Sequence, residues 1–399
     1  MAKRNTIAPI DGMAVFAYGF RPFFLLAGIY AALVVPLWLS THLGAPWWAT
    51  TWPSGFWHAH EMVFGFATAA IAGFLLTAVP SWTGTPPHTG VSLARLVGLW
   101  VAGRVAMWMT GIAPAWLVGA IDIIFLPALA WAIMGPLNTV KGPRNRVFLI
   151  FIGLLTVANG LTHLAAHGCI SPILGSELAI DVLAIMIAII GGRVIPAFTT
   201  NALAANGRED AVRPTPSWDV LAPILVGVTA LADVGRNLWP EYTPVAGIVA
   251  LVAAYVNGWR MAGWATWHCR GKSILWVLHL GYAWLVAGLA AKGLASFGWI
   301  DSTAAIHALG VGMIGTMPLA IMSRASLGHT GRPLIAARAI TFAYVLVTLA
   351  ALARIWAADT NEPILFLVAA AAAWTTAFTA FSLVYWPILT RPRIDGRSG

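Results

Sequence analysis

Apolar residues follow one another in long runs along this chain, and short polar stretches separate the runs. An α-helix needs roughly 20 apolar residues to cross the hydrocarbon core of a bilayer, which is the length of most of these runs. We predict twelve spans, at residues 20–41, 57–80, 92–112, 114–134, 147–167, 178–203, 218–236, 243–263, 274–295, 303–326, 333–355 and 363–389. The alternating pattern of a transmembrane β-barrel is missing, so the expected fold is an all-α polytopic membrane protein.

Composition agrees with this class. Of the 399 residues, 59% are hydrophobic and only 9% are charged, against about 25% charged in a soluble domain. No loop is long enough to fold alone, so we expect one integral-membrane domain over residues 1–399, with short tails at 1–18 and 390–399. Cys169 and Cys269 are predicted at opposite membrane faces, where they cannot form a disulfide with each other.

The formal net charge of +9 is distributed by loop rather than along one surface. Lysine and arginine are concentrated at both termini and around residues 141–146, 208–213, 270–272 and 324–338, whereas the alternate loops carry almost none. By the positive-inside rule, both termini are cytoplasmic. The charge therefore indicates membrane topology, and nucleic acid is not an expected partner.

A weak internal repetition is also present. The tetrapeptide PHTG at residues 87–90 resembles GHTG at 328–331, and each follows an even-numbered predicted span. The end of the sixth span, GGRVIP at 191–196, is comparable. Twelve spans arranged as three four-helix units would explain this pattern, and chance similarity of short glycine- and proline-containing loops is the alternative.

Two histidines and a glutamate interrupt the second predicted span at its start. Ionisable side chains are costly inside a membrane and are usually retained for function. His58 and His60 point about 200° away from each other on a helix, which favours two sites over one shared metal. Glu61 follows His58 by three residues and is expected on roughly the same side, where it could orient or neutralise a bound group.

Small side chains continue the stripe that begins at His58. Gly65, Ala69 and Ala72 leave room there for a flat macrocycle. The alternative is that both histidines cap the helix in the wet interface and that the small residues are ordinary helix-packing positions. The two interpretations differ in whether a cofactor lies along this side of the span.

The predicted topology brings further histidines to the same membrane depth. His163 and His167 end the fifth span and His307 begins the tenth, at the face where the second span begins. Neutral imidazole suits haem iron and copper, and the shortage of carboxylates argues against magnesium, calcium or manganese. For His167 the alternative is that it simply ends its helix beside a glycine.

A second polar group is expected towards the cytoplasm. It consists of Arg193, His279, Arg324, His329 and Arg332. Arginines suit carboxylate recognition, so this group is predicted to hold propionates or an anionic substrate. The alternative is an interface of arginines whose long side chains reach towards water. Arg104 and Asp122 are expected to form a structural ion pair between the third and fourth spans, and His42 and His88 are expected in loops.

Four blocks of the sequence resemble the NnrS family. They are WHAHEMVFG at residues 57–65, GGRVIPAFT at 191–199, LHLGY at 278–282, and HALGVG at 307–312 running to SRASLGHTGR at 323–332. The resemblance covers essentially the whole chain. It implies a polytopic, haem- and copper-containing protein of the bacterial inner (cytoplasmic) membrane that is associated with tolerance of nitric oxide.

Residues and resemblance together lead to one main hypothesis, a protein with haem b and copper that binds or reduces nitric oxide or another small nitrogen oxide. The assigned metal ligands are His58, His60, His163, His279 and His307, with Glu61 for proton handling and Arg193, Arg324, His329 and Arg332 for cofactor carboxylates or anions. Reduction would also require an electron donor, which the sequence does not identify. The alternatives are a transporter of metal, haem or a small anion, and a non-catalytic haem-based sensor.

Overall fold

The computed structural model describes residues 13–45, 50–171, 173–204, 207–213 and 215–396. These ranges contain no β-strand, and twelve of their helices are long and apolar enough to cross a membrane. The helices are α1 (Phe20–His42), α2 (Ser54–Thr83), α3 (Gly90–Trp108), α4 (Ala115–Leu137), α5 (Pro143–Ala166), α6 (Leu174–Ala204), α7 (Pro216–Leu238), α8 (Pro240–Ala262), α9 (Ser273–Ser296), α10 (Ser302–His329), α11 (Arg338–Trp356) and α12 (Pro363–Thr390). The predicted all-α, polytopic fold is confirmed.

The predicted spans match these helices with boundary differences of a few residues. The largest is at α11, which was expected from residue 333 but begins at Arg338. Pro333 cannot donate a backbone hydrogen bond, and Ala337 is still extended, with φ −60° and ψ 154°. Leu334 lines a cavity between helices instead. Leu334 is 42% and Ile335 76% exposed, so apolar loop residues that are not buried extended the predicted span.

An even number of spans brings the start of α1 and the end of α12 to one side of the bundle, which we call the terminal end. The other side, where α1 ends and α2 begins, is the distal end. Helices that follow one another in the chain pack together from α3 to α12, and α1 packs against both α2 and α12. Three helices, α2, α6 and α10, lie at the centre and contact one another.

The three central helices enclose an apolar cavity on the axis of the bundle. Ala70 of α2, Met186 of α6 and Met317 of α10 are among its lining residues, and all fifteen are apolar. The polar groups of the central helices therefore lie towards the two ends. α2 and α10 bring histidines to the distal end, and α6 brings carboxylates there.

Two π-helical segments occur in the described chain, Glu61–Ala67 in α2 and Ala308–Met313 in α10. Each follows directly after a histidine of the distal end, His60 in α2 and His307 in α10. A π-turn accommodates one extra residue and is frequent at functional sites. The two central helices thus share the same local distortion next to their histidines.

Candidate functional site

α2 directs two histidines to different surroundings. His58 lines a cavity at the distal end, whereas His60 is fully buried among polar side chains from α3, α4 and α5. We call the first region the cavity site, defined by His58, His307 and Arg354, and the second the network site, defined by His60, Glu61, Arg104, Asp122, Asn159 and His163. The two α2 histidines therefore face different surroundings, as the sequence predicted.

The cavity site lies between α2 and α10, and α1, α11 and α12 close it. The space between the side chains amounts to about 1200 Å³, including the part that is open to the outside. Its lining is mostly apolar and includes two large flat side chains, Trp38 and Trp374. Gly310 widens it, because a Cβ at that position would meet no atom within 4 Å. The polar lining residues are His42, His58, His307 and Arg354.

The imidazoles of His307 and His58 in this cavity have different contacts with the protein. His307 Nδ1 lies 2.7 Å from the carbonyl oxygen of Thr303, so it donates its proton there and the Nε2 lone pair stays available. His58 stacks on Trp38 with ring centroids 4.0 Å apart, and its buried Nδ1 has no hydrogen-bond partner among the described residues. A histidine that donates one N–H to a carbonyl and offers its other nitrogen is typical of a metal ligand.

Arg354 brings a positive charge to the cavity from near the end of α11. Its buried Nε has no hydrogen-bond partner in the part of the chain that the structure describes. The planar guanidinium is therefore free to bind a carboxylate with two parallel hydrogen bonds. The sequence analysis missed Arg354, because an arginine near the end of an apolar span usually marks the membrane interface. The sequence feature that could have identified it is its spacing from Ala350, which also lines the cavity. Residues four apart lie on the same side of a helix.

In the network site, His60 contacts a carboxylate oxygen with each ring nitrogen. Nδ1 lies 2.7 Å from Glu61 Oε1, and Nε2 lies 3.0 Å from Asp122 Oδ2. His163 Nε2 lies 3.1 Å from the same Asp122 oxygen. Arg104 donates to both carboxylates, at 2.6 Å to Glu61 and in a second ion pair to Asp122. A neutral imidazole carries one N–H, so the contacts of His60 call for one further proton or cation.

Charge counting leads to the same result. Glu61 and Asp122 carry two negative charges and Arg104 one positive charge, so the network has a net charge of −1 when both histidines are neutral. His60, His163 and Asp122 offer donor atoms that all lie within 4.8 Å of one another. Ligands about 2.1 Å from a tetrahedral metal ion lie roughly 3.4 Å apart, so small movements would convert these contacts into coordination. Two imidazoles and a carboxylate suit a transition metal.

Two neutral side chains complete the network. Asn159 Nδ2 donates to Asp122 at 2.8 Å, and its Oδ1 lies 2.9 Å from His60 Nε2. Tyr30 of α1 donates its phenolic proton to Glu61. The predicted pair of Arg104 and Asp122 is present, but it belongs to this larger network rather than standing alone as a structural contact.

Glu61 was expected near a group bound by His58, and this prediction was wrong. Its carboxylate instead lies with His60, at 0% exposure. The physical reason is the buried guanidinium of Arg104, which lies on the network side of α2 and compensates the charge of Glu61. Burying a carboxylate without such a partner would be far more costly.

Two further expectations about this region were also wrong. Gly65 does not border the cavity, because a Cβ there would lie 2.6 Å from the ring of Tyr30, and its small size serves close packing against α1. Ala69 and Ala72 are likewise fully buried and absent from the cavity lining. His42 is not in a loop, since it is the last residue of α1 and lines the cavity. The stripe of small residues is therefore a helix-packing surface.

The polar group predicted at the terminal end does not form one site. Arg324 and His329 line one cavity, where the Arg324 guanidinium lies 4.0 Å over the ring of Phe198. Arg193 is exposed and donates to Asn145 at 3.0 Å. Arginines near the ends of different helices thus face different neighbours.

Arg332 and His279 lie apart from that cavity as well. The Arg332 guanidinium donates to the backbone carbonyl oxygen of Thr330, at 3.5 Å. His279 is enclosed by hydroxyls, with Nε2 3.0 Å from Thr199 and Nδ1 3.0 Å from Thr266. Cys269 Sγ is 3.6 Å from His279 Nε2, and burial raises the pKa of this thiol. Both ring nitrogens of His279 therefore contact neutral partners.

The chain matches one known protein family over nearly its whole length. The family model described as NnrS protein matches residues 14–393, which is nearly the full length. The chain belongs to the NnrS family. Among curated proteins, no match to the chain is found. Family membership fits a nitric-oxide-related haem and copper protein in general, and the two sites at the distal end are where this NnrS chain concentrates its imidazoles.

Proposed function

We propose that this chain is a haem- and copper-binding membrane protein that binds nitric oxide or reduces it. The observation that carries the proposal is the pair of sites on either side of α2. One is an open, mostly apolar cavity with two imidazoles and a guanidinium, and the other is a buried cluster that lacks one positive charge.

Haem fits the donor chemistry of the cavity site. His58 and His307 reach it from two different central helices, each with a ring nitrogen that has no hydrogen-bond partner among the described residues. Arg354 supplies planar donors for a propionate, and Trp38 and Trp374 supply flat apolar surfaces for a macrocycle. The cavity volume is about 270 Å³, close to the lower end of the 300–1,000 Å³ that is typical of small-molecule pockets.

Copper fits the donor chemistry of the network site. With its Nδ1–H donated to Glu61, His60 presents the Nε2 lone pair towards Asp122 Oδ2, 3.0 Å away. Two lone pairs at that distance repel each other unless a cation lies between them. A metal ion bound by His60, His163 and Asp122 would remove this repulsion and supply the missing positive charge.

A bound haem would supply the iron at which a small nitrogen oxide binds and accepts electrons. The protein's own groups do the remaining work. Thr303 fixes the ring of His307 through its carbonyl oxygen, and Glu61 fixes the ring of His60. Glu61 is the group that we assign to proton handling, because it is a buried carboxylate linked by hydrogen bonds to His60, Arg104 and Tyr30.

The test asks whether variants of the cavity site lose only haem and variants of the network site lose only copper. His58→Ala and His307→Ala should lower haem content, read from the absorption spectrum of the purified protein, and leave copper content unchanged. His60→Ala and His163→Ala should lower copper affinity by more than the 10- to 100-fold typical of an outer-shell change, read by metal analysis, with the haem spectrum retained. The matched control is His268→Ala, because His268 is exposed in the short 3-10 helix Thr266–Cys269 between α8 and α9.

Retention of both cofactors in all four variants would overturn the proposal and favour the transporter alternative. If the cavity variants lose haem and also lose the ability to turn over nitric oxide, the result would support catalysis. Haem binding without any turnover in the unmodified protein would instead assign the chain to haem-based sensing.

A further inference from the structure

A second buried charge cluster lies at the distal end, between α6, α7 and α9. Lys292 of α9 donates to Asp181 of α6 at 2.5 Å and to Asp233 of α7, and it lies 3.6 Å from Glu177. Arg236 of α7 forms ion pairs with Glu177 and with Asp233, the latter at 2.7 Å. We call these five side chains the lysine cluster. It shares no residue with the cavity site or the network site.

The lysine cluster is deeply buried. Lys292, Asp181, Asp233 and Glu177 are each 7% exposed or less. The neighbouring α5, α8 and α10 add no ion pair to it within the described chain. Asn237 is its other polar contact, donating to Glu177 at 2.7 Å. The charges that face one another are therefore those of three carboxylates, one ammonium and one guanidinium.

This count leaves one negative charge without compensation when all five groups are ionised. The structure also indicates where that charge is least stabilised. Asp181 Oδ1 accepts from Lys292, but Asp181 Oδ2 is buried and has no hydrogen-bond partner among the described residues. An unpaired carboxylate oxygen away from water is costly, and neutralising it by a proton removes most of that cost.

We propose that the lysine cluster binds one exchangeable proton, held on the carboxyl group of Asp181. A metal cation is disfavoured, because the Lys292 ammonium already occupies the position between the carboxylates. A proton needs no further space. Arg236, whose side chain is 23% exposed, connects the cluster to the surface of the distal end. Asp181 is thus a buried acid that is linked through Lys292 and Asp233 to the partly exposed Arg236.

This inference does not rest on the proposed function, and its test needs neither haem nor nitric oxide. In the infrared spectrum of the purified protein, the protonated Asp181 should give a carboxylic-acid C=O band that shifts in heavy water. Asp181→Asn should remove this band and leave a cluster with no net charge, so the variant should fold with undiminished thermal stability. The control is Asp219→Asn, since Asp219 is partly exposed and paired with Arg260 at the terminal end, where it is expected to be ionised.

A second variant keeps the proposal falsifiable if Asp181→Asn folds poorly. Glu177→Gln also removes one negative charge, so it should remove the need for the proton and weaken the same band. Identical C=O regions in the wild-type protein and in both variants would overturn the proposal. Stabilisation of the wild-type protein by sodium or potassium ions, lost in Asp181→Asn, would overturn it in favour of a cation site.

Discussion

The two sides of α2 carry the same kind of residue in opposite situations. On one side His58 borders an open, mostly apolar space and has a buried nitrogen without a partner. On the other side His60 has an oxygen atom in contact with each ring nitrogen and no exposure to solvent. The first arrangement leaves room for a large ligand, and the second leaves room only for a single ion or proton.

The size and charge of each site are therefore set by the helices that pack against α2 rather than by the histidines themselves. The cavity side of α2 faces α10 and α12, where Gly310 and the alanines of α12 leave space. The network side faces Arg104 of α3 and Asp122 of α4, which together bring charge. One helix can therefore serve two cofactors of different size with residues only two positions apart.

The largest expected effect concerns the stability of the network side. Arg104→Leu leaves Glu61 and Asp122 buried without their cation, and breaking a buried ion pair in this way costs about 3–5 kcal/mol. Thermal unfolding of the purified protein should show a marked loss of stability. Arg95→Leu is the matched control, because Arg95 is exposed and surface changes are usually within about 0.5 kcal/mol. Equal stability of the two variants would mean that the network is solvated or already protonated.

A smaller effect is expected from filling the cavity side. Gly310→Leu places a side chain in the open space and should lower haem content several-fold, while copper content and thermal stability stay near those of the unmodified protein. Gly153→Leu is the control, since Gly153 in α5 also has no neighbour within 4 Å of a Cβ but lies on the outer surface. Unchanged haem content in Gly310→Leu would remove haem from this cavity.

The smallest effect on cofactor content is expected from Glu61→Gln. The amide oxygen of glutamine still accepts from His60, so copper affinity should fall by about tenfold or less, and haem content should not change. If Glu61 handles protons, turnover of nitric oxide should fall much more than either cofactor content. A proportional loss of copper and turnover would reduce Glu61 to a group that orients His60.

Much of the fold could be predicted from the sequence because a bilayer imposes strong constraints. The lengths of the apolar runs located all twelve helices, and α11 alone was misplaced by five residues, where the exposed apolar loop residues Leu334 and Ile335 resemble the start of a span. Helical periodicity also predicted that His58 and His60 face different surroundings. These features depend on local composition and geometry, which a single sequence contains.

The partners of each side chain could not be predicted in the same way. Arg354 and His307 meet in one cavity although 47 positions separate their numbers in the chain, and Lys292 meets carboxylates from two other helices. No local sequence pattern predicts which faces of α6, α7 and α9 pack against one another. The terminal-end arginines, expected together, are divided among different neighbours for the same reason.

By itself, then, the sequence determined the membrane class, the number of spans, the family resemblance and the set of imidazoles available for chemistry. Only the tertiary structure decided that His58 and His307 share a cavity, that Glu61 belongs with His60, and that Gly65 serves packing against Tyr30. The physical reason is that burial in lipid is fixed by local composition, whereas charge compensation and cavity shape depend on the packing of helices that are distant in the chain.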